Sequence, residues 1–350
     1  MKILFIARTY APLVGGMEKF ASDFYTSLQK LTHVDLLANQ HGKQRIIQFF
    51  FKAAFYLLFN AKKYEIIHFN DATLAPLIAI IKAFSGAKVS LTVHGLDLVY
   101  QKFGYQHLII PFLRKADRIF PVSQYTYQQC LNKGISEEKL TVIPNGLVFS
   151  EIEKCTPEGQ KALGFKLYNN FKNKTVLLSL GRLIKRKGHV WFIENVFIHL
   201  PENYIYIIAG NGNEFDTIAE TVRRLNLDKR IRLLGYVTER EKPCLFELAD
   251  LFIMPNIYDE NDQEGFGIVL LEAGSYSLPS IAANIEGITD AIIDGKTGIL
   301  VEEKNASAYL EAITHPNINR DGILPELTAR YDWSAISQTY HQAFKALLIE

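Results

Sequence analysis

Along the first part of the chain, short runs of β-branched and aromatic residues alternate with longer amphipathic stretches. The apolar runs fall at 2–7, 34–38, 65–69, 88–93, 118–122 and 141–144, and their length and composition suit strands. Strand and helix alternating in this way predict βαβ units and a parallel sheet. From 151 to 174 the chain turns polar, rich in Asn and Lys, and the periodicity lapses. The rhythm restarts at 175–180 and continues through 204–209, 231–234, 250–255, 279–282 and 298–301. Two sheets of about six strands are therefore expected, with a linker near 150–172. A last stretch, 333–348, spaces Ile336, Tyr340, Phe344 and Leu347 as one face of a terminal helix. No repeat and no low-complexity tract is evident.

A length of 350 residues accommodates two α/β domains. The chain is 48% hydrophobic and 21% charged, the balance of a globular protein with a sizeable core rather than a disordered one. Its formal net charge of +1 supplies no global basic field, which argues against nucleic acid as a partner. Cys130, Cys155 and Cys244 are odd in number, far apart and without metal-ligand spacing; they read as reduced residues of a cytoplasmic protein. The N-terminal apolar run meets Arg8 at once and reads as a strand, not a signal peptide. The longest apolar stretch, 46–59, is interrupted by Gln48 and Lys52 and falls short of the ~20 residues of a spanning helix.

The segments that could carry chemistry stand where predicted strands end. Gly181-Arg182 through Lys187-Gly188 follows a strand and precedes a helix, so its cations and amides gather at a sheet's carboxyl edge. Arg182 can fork two phosphate oxygens and Lys187 adds a compact charge, a set suited to a diphosphate; a solvated basic turn is the plainer alternative. Glu264-Gly265-Phe266-Gly267-Ile268 follows another strand and leads into an apolar run ending at Glu272-Ala273. Its glycines would let a ligand approach the backbone, and the free amides of the helix start would favour anionic oxygens. If helical throughout, Glu264 and Glu272 stand ~12 Å apart, too far for a glycosidase pair at ~5–5.5 Å but suited to two hydroxyl-binding carboxylates. A capping Glu plus a surface Glu is the alternative.

In the first half, Gly15-Gly16 follows the first strand and either brings amides to a ligand or forms a tight turn. His94-Gly95 ends the fourth strand; the imidazole is either a functional group at the carboxyl edge or a satisfied core residue. Asn145-Gly146 adds a polar turn. Gly210-Asn211-Gly212 resembles the start of a dinucleotide fingerprint but lacks its third glycine, and is expected to line a nucleotide groove instead. No Walker lysine, HExxH, GxSxG or Asp-x-Asp pair occurs.

Taken together, these residues resemble family 4 of the retaining glycosyltransferases over nearly the whole chain, with the Glu-x7-Glu element (Glu264 to Glu272) the most specific. The resemblance implies a GT-B fold: two Rossmann-like parallel-sheet domains facing across a cleft, with the C-terminal helix crossing back to the N-terminal domain. The expected division is 1–160 for acceptor binding, 161–332 for the nucleotide-sugar donor and 333–350 for the returning helix. It implies that Arg182 and Lys187 bind the donor diphosphate, that Glu272 binds the ribose and that Glu264 and His94 lie by the transferred sugar. Gly15, Gly16, Gly181, Gly210, Asn211, Gly265, Phe266, Gly267 and Ile268 would complete the donor site. The implied reaction is metal-independent hexosyl transfer from a nucleoside-diphosphate sugar to a saccharide or lipid-linked saccharide, as in polysaccharide or lipopolysaccharide biosynthesis. No cofactor is expected beyond the donor, and retention would come from front-face attack in which the leaving phosphate helps deprotonate the acceptor. An epimerase of GT-B fold and a donor-binding module without turnover remain as rivals. The acidic insertion Asp259-Glu260-Asn261-Asp262 departs from the family pattern.

Between 43 and 63, Lys43, Arg45, Lys52, Lys62 and Lys63 interleave with aromatic and aliphatic residues. The pattern fits either a helix resting on an anionic membrane surface, at the inner face where a lipid-linked acceptor is presented, or a buried helix with charged ends.

Overall fold

The computed structural model describes residues 1–13, 15–100, 104–167 and 171–350. They form two compact units, one of Met1–Val148, Glu260–Ile268 and Tyr331–Glu350 and one of Phe149–Asp259 and Val269–Arg330.

The first unit is built on β1 (Lys2–Ala7), β2 (His33–Ala38), β3 (Ile66–Phe69), β4 (Lys88–Val93) and β5 (Arg118–Pro121), in the order β2-β1-β3-β4-β5 and parallel throughout. The expected sixth strand is not formed. Residues 141–144 run beside β5, with Thr141 N–H donating to the Ile119 carbonyl at 3.1 Å and Ile143 N–H to that of Pro121 at 3.0 Å. Pro144 has no N–H to extend this edge ladder. The sheet is covered on both faces, as nearly continuous apolar strands require. One face packs the helices Ile46–Asn60, Ile78–Phe84 and Tyr105–Leu113. The other packs Gly16–Gln29 and the terminal helix Trp333–Ile349. Trp333 stacks on Phe24 at 5.4 Å, and Tyr340 and Phe344 close over Phe120. The return of the last helix to the first unit is thus as expected.

The second unit carries β6 (Thr175–Leu180), β7 (Tyr204–Ala209), β8 (Ile231–Gly235), β9 (Leu251–Met254), β10 (Ser280–Ala283) and β11 (Gly298–Val301), ordered β11-β10-β9-β6-β7-β8 and parallel. Two expectations need correction here. The supposed linker contains the helix Pro157–Leu167, so a boundary at 160 would cut through a helix; the second unit begins at Phe149. The weakly patterned helix packs on Lys242–Leu248 and buries Leu163, tertiary contacts that local periodicity cannot show. Cys155 and Cys244, read as reduced, form a disulfide across 89 positions of sequence, leaving Cys130 as the buried free thiol. Spacing in the chain says nothing of proximity in the fold.

Candidate active site

In the second unit the strand order reverses between β6 and β9, and the crevice at their carboxyl ends is where open parallel sheets bind ligands. A pocket lies there, lined by Ser179, Gly181, Arg182, Lys187, His189, Asn256 and Val269 among others. Leu183 is fully buried and pins the basic segment to the core, while Arg182 is exposed and Lys187 half-buried. Residues Lys185–Lys187 make a single 3-10 turn, and Gly188 follows at φ +68°, where a Cβ would stand 2.0 Å from the Pro255 carbonyl oxygen. A hydrogen bond of 2.8 Å from Ile257 N–H to the Arg186 carbonyl ties the same turn to the chain after β9. Burial, with Lys187 nearby, lowers the His189 pKa to about 3, so its ring stays neutral beside the cations.

Gly210 and Asn211 hold this segment from behind instead of lining the pocket. A Cβ on Gly210 would lie 1.7 Å from the Gly181 carbonyl oxygen, and Leu183 N–H donates to the Asn211 carbonyl at 2.9 Å. The turn thus buttresses the basic segment, and neither residue lines that pocket. Glu272 is half-buried on the helix Ile268–Ser275. Burial acts to lower the pKa of Lys242, but Glu272, with Glu239, raises it above its ordinary value, which places that ammonium within the field of the Glu272 carboxylate. The helix starts at Ile268, so the picture of Glu264 and Glu272 on one continuous helix is corrected. Gly267 at φ +88° breaks the chain before it.

In the first unit, residues from four stretches meet. The segment Glu260–Ile268, part of this unit, passes so close to the end of β4 that a Cβ on Gly265 would be 1.9 Å from the His94 carbonyl oxygen. Gly95, at φ +91°, faces the Gly265 Cα. A Cβ on Gly16, first residue of the helix Gly16–Gln29, would be 3.6 Å from Ile268. Phe266 is buried with its ring 5.9 Å from that of Tyr331, so its side chain serves packing and only its backbone can serve a ligand. Glu18 folds back over Gly15 and shares the helix N-terminus expected to be open to a ligand. Glu264 is half-buried.

His94 is oriented from two sides. Its Nε2 donates to the Asn70 carbonyl at 2.9 Å, and Asp97 accepts from its backbone N–H at 2.9 Å. Burial lowers the imidazole pKa against the opposing pull of Asp97. With Nε2 as donor, Nδ1 is the accepting nitrogen of a neutral ring. The strand order also reverses between β1 and β3, and there Arg8 pairs with Asp71 at 3.3 Å. Burial raises the Asp97 pKa.

Two residues unremarked in the sequence belong to these edges. Asn70, after β3, is fully buried with neither side-chain amide atom hydrogen-bonded. Asn256, after β9 and lining the pocket, is in the same state at 1% exposure. The signal available was a polar residue directly past a buried apolar strand. Among the described residues, no group of three or more His, Cys, Asp or Glu is placed to hold a metal ion.

Two parallel-sheet units, each with a strand reversal, are the GT-B architecture found among glycosyltransferases. Two family models match it, Glycosyltransferase Family 4 over residues 14–150 and Glycosyl transferases group 1 over residues 164–318. The protein belongs to family 4 of the glycosyltransferases. It is similar to the UDP-Gal:alpha-D-GlcNAc-diphosphoundecaprenol alpha-1,3-galactosyltransferase of Escherichia coli, 27% identical over 74% of this chain and 67% of that protein. It is also similar to the GDP-mannose-dependent alpha-(1-6)-phosphatidylinositol monomannoside mannosyltransferase of Mycobacterium tuberculosis, 23% identical over 77% of this chain and 71% of that one. Among solved structures, Anabaena HepE in complex with UDP and glucose shares the fold with a TM-score of 0.76 at 21% identity, over 99% of this chain and 100% of that one.

Proposed function

We propose that the protein transfers a hexose, with retention of anomeric configuration and without a metal, from a nucleoside-diphosphate sugar to a saccharide or lipid-linked saccharide at the cytoplasmic face of a membrane. The observation that carries this reading is the pocket at the β6/β9 reversal with Arg182 and Lys187 on its wall. Two preorganised cations stabilise the charge that develops on a departing nucleoside diphosphate, the task a divalent ion performs elsewhere. Arg182 forks two phosphate oxygens, and Lys187 adds a point charge. The free amides at the start of the helix Ile268–Ser275 favour the same anion. Glu272 accepts hydrogen bonds from the ribose hydroxyls. Glu264, the backbone at Gly265 and Gly267, and the accepting nitrogen of neutral His94 are assigned to the transferred sugar. Retention follows from front-face attack: the acceptor oxygen bonds to the anomeric carbon as the bond to phosphate breaks, and the leaving phosphate oxygen takes the acceptor proton. The names of the galactosyl- and mannosyltransferase relatives, each acting on a lipid-bearing acceptor, support the substrate classes.

The test is thermal stabilisation by UDP, GDP, ADP, their sugar conjugates and NAD, with and without EDTA, followed by NMR of the product's anomeric proton. Stabilisation by one nucleoside diphosphate series that persists in EDTA, with an axial donor giving an axial product, is expected. Stabilisation by NAD alone, an inverted product, or activity lost on chelation would contradict the reading in its respective part.

A further inference from the structure

The helix Ile46–Asn60 is apolar on both sides. Phe49, Ala53 and Leu57 are buried in the core of the first unit. Ile47, Phe51, Phe55 and Phe59, four residues apart in turn, are 73%, 66%, 67% and 69% exposed, with Leu58 between them at 44%. At ~100° per residue the five side chains cover roughly 120° of the helix, directly opposite the buried stripe. The Phe55 and Phe59 rings meet at 5.0 Å, so these two make one contiguous aromatic patch on the outer face.

Charge along this segment has one sign. No Asp or Glu occurs between Asp35 and Glu65, whereas Arg45, Lys52, Lys62 and Lys63 are all exposed; the side chain of Lys43 lies outside the described set. A symmetric contact with a second copy would set these cations against each other with no acid in the segment to offset them. The helix has 15 residues, ~22 Å of rise, too short to span a bilayer. Among the described residues, no helix is long and apolar enough to cross a membrane.

We infer that this face docks on an anionic lipid bilayer, lying in the plane of the interface with its phenylalanines at the acyl boundary and its lysines against headgroup phosphates. The inference deepens the proposed transfer to a lipid-linked acceptor and rests on that reading for its purpose: the bilayer that presents the acceptor would also hold the enzyme.

Flotation of the full-length protein with mixed phosphatidylcholine and phosphatidylglycerol vesicles tests it, against phosphatidylcholine alone. Wild type binds the anionic vesicles and loses affinity as salt rises. The Phe51→Ser/Phe55→Ser double variant, exposed in both positions and checked for folding by circular dichroism, loses on the order of 10²-fold in affinity. Lys62→Glu/Lys63→Glu loses on the order of 10-fold or more. A Phe55→Trp variant gives fluorescence that brominated lipid quenches. Wild type that stays unbound at low salt, variants that bind like wild type, or a concentration-dependent dimer abolished by the Phe variants without vesicle binding overturns the inference. Thermal shift by nucleoside diphosphates is read on the same proteins. If it is absent in wild type while vesicle binding persists, the proposed reaction fails and the docking face stands; if it persists while vesicles are ignored, the reverse holds.

Discussion

Gly210→Ala probes the support behind the diphosphate segment. In the native structure the new methyl would sit 1.7 Å from the Gly181 carbonyl oxygen, where real contacts hold at least 3.0 Å, so one backbone segment must retreat by about 1.3 Å. The residue is also at φ +141°, a conformation that side chains rarely adopt. Overpacking costs ~1–3 kcal/mol and the backbone conformation ~1–3 kcal/mol more. At ~2–4 °C per kcal/mol, the melting temperature should fall by roughly 4–24 °C. The segment that moves carries Arg182, and a misplacement of ~1 Å in a catalytic group costs on the order of 10² in rate. Calorimetry and a transfer assay at a temperature where both proteins are folded separate the two effects. Gly164→Ala is the matched control, since a Cβ there meets nothing within 4 Å on a helix, and it should stabilise by ~0.4–1 kcal/mol. A Gly210→Ala protein with unchanged melting temperature and unchanged turnover would refute the claim that Gly210 sets the position of Arg182.

Lys187→Ala should lower kcat on the order of 10²-fold, and the wild-type rate should survive EDTA; a Lys187 variant of undiminished kcat would remove that cation from the mechanism. Trp333→Ala should cost ~3–5 kcal/mol in urea unfolding, because Trp333 is buried, stacks on Phe24 and lies where a Cβ on Gly146 would be 2.8 Å from its ring. Acid should destabilise the protein from about pH 6.5 downward. His68 and His189 have folded pKa values lowered to about 3, chiefly by burial, so the unfolded chain binds protons that the folded one refuses. Their contribution is complete above the ordinary pKa of ~6.5 and is lost as pH falls toward 3, on the order of 2 kcal/mol each by pH 5. His68→Asn should flatten the slope of urea midpoint against pH between 5 and 7; an unchanged slope would show that His68 does not carry it.

The strand positions were legible because a parallel sheet covered on both faces writes each strand as an apolar run; β1, β4, β6, β7 and β11 fall at the expected residues. The helix Pro157–Leu167 was not legible, since it depends on packing against Lys242–Leu248 more than on its own periodicity. The disulfide was hidden for a related reason, because only the fold brings positions 155 and 244 together. At the site, cations and glycines past strand ends pointed to the β6/β9 crevice and to the meeting of Gly16, His94, Gly265 and Ile268. Sequence could not show that Gly210 is pressed against the Gly181 carbonyl, nor mark Asn70 and Asn256 as buried without partners.

The first unit is assembled from three separate stretches of chain, and its sheet is not sealed until Trp333, Tyr340 and Phe344 arrive. A ribosome making this protein therefore releases the apolar side formed by Phe5, Phe24 and Phe120 well before the helix that covers it. The second unit, Phe149–Asp259 with Val269–Arg330, can be complete while the first still waits. Synthesis of the early residues and completion of their core are thus separated by most of the message, and a nascent chain stalled before codon 333 would present an open aromatic face to chaperones, proteases and its own neighbours on a polysome.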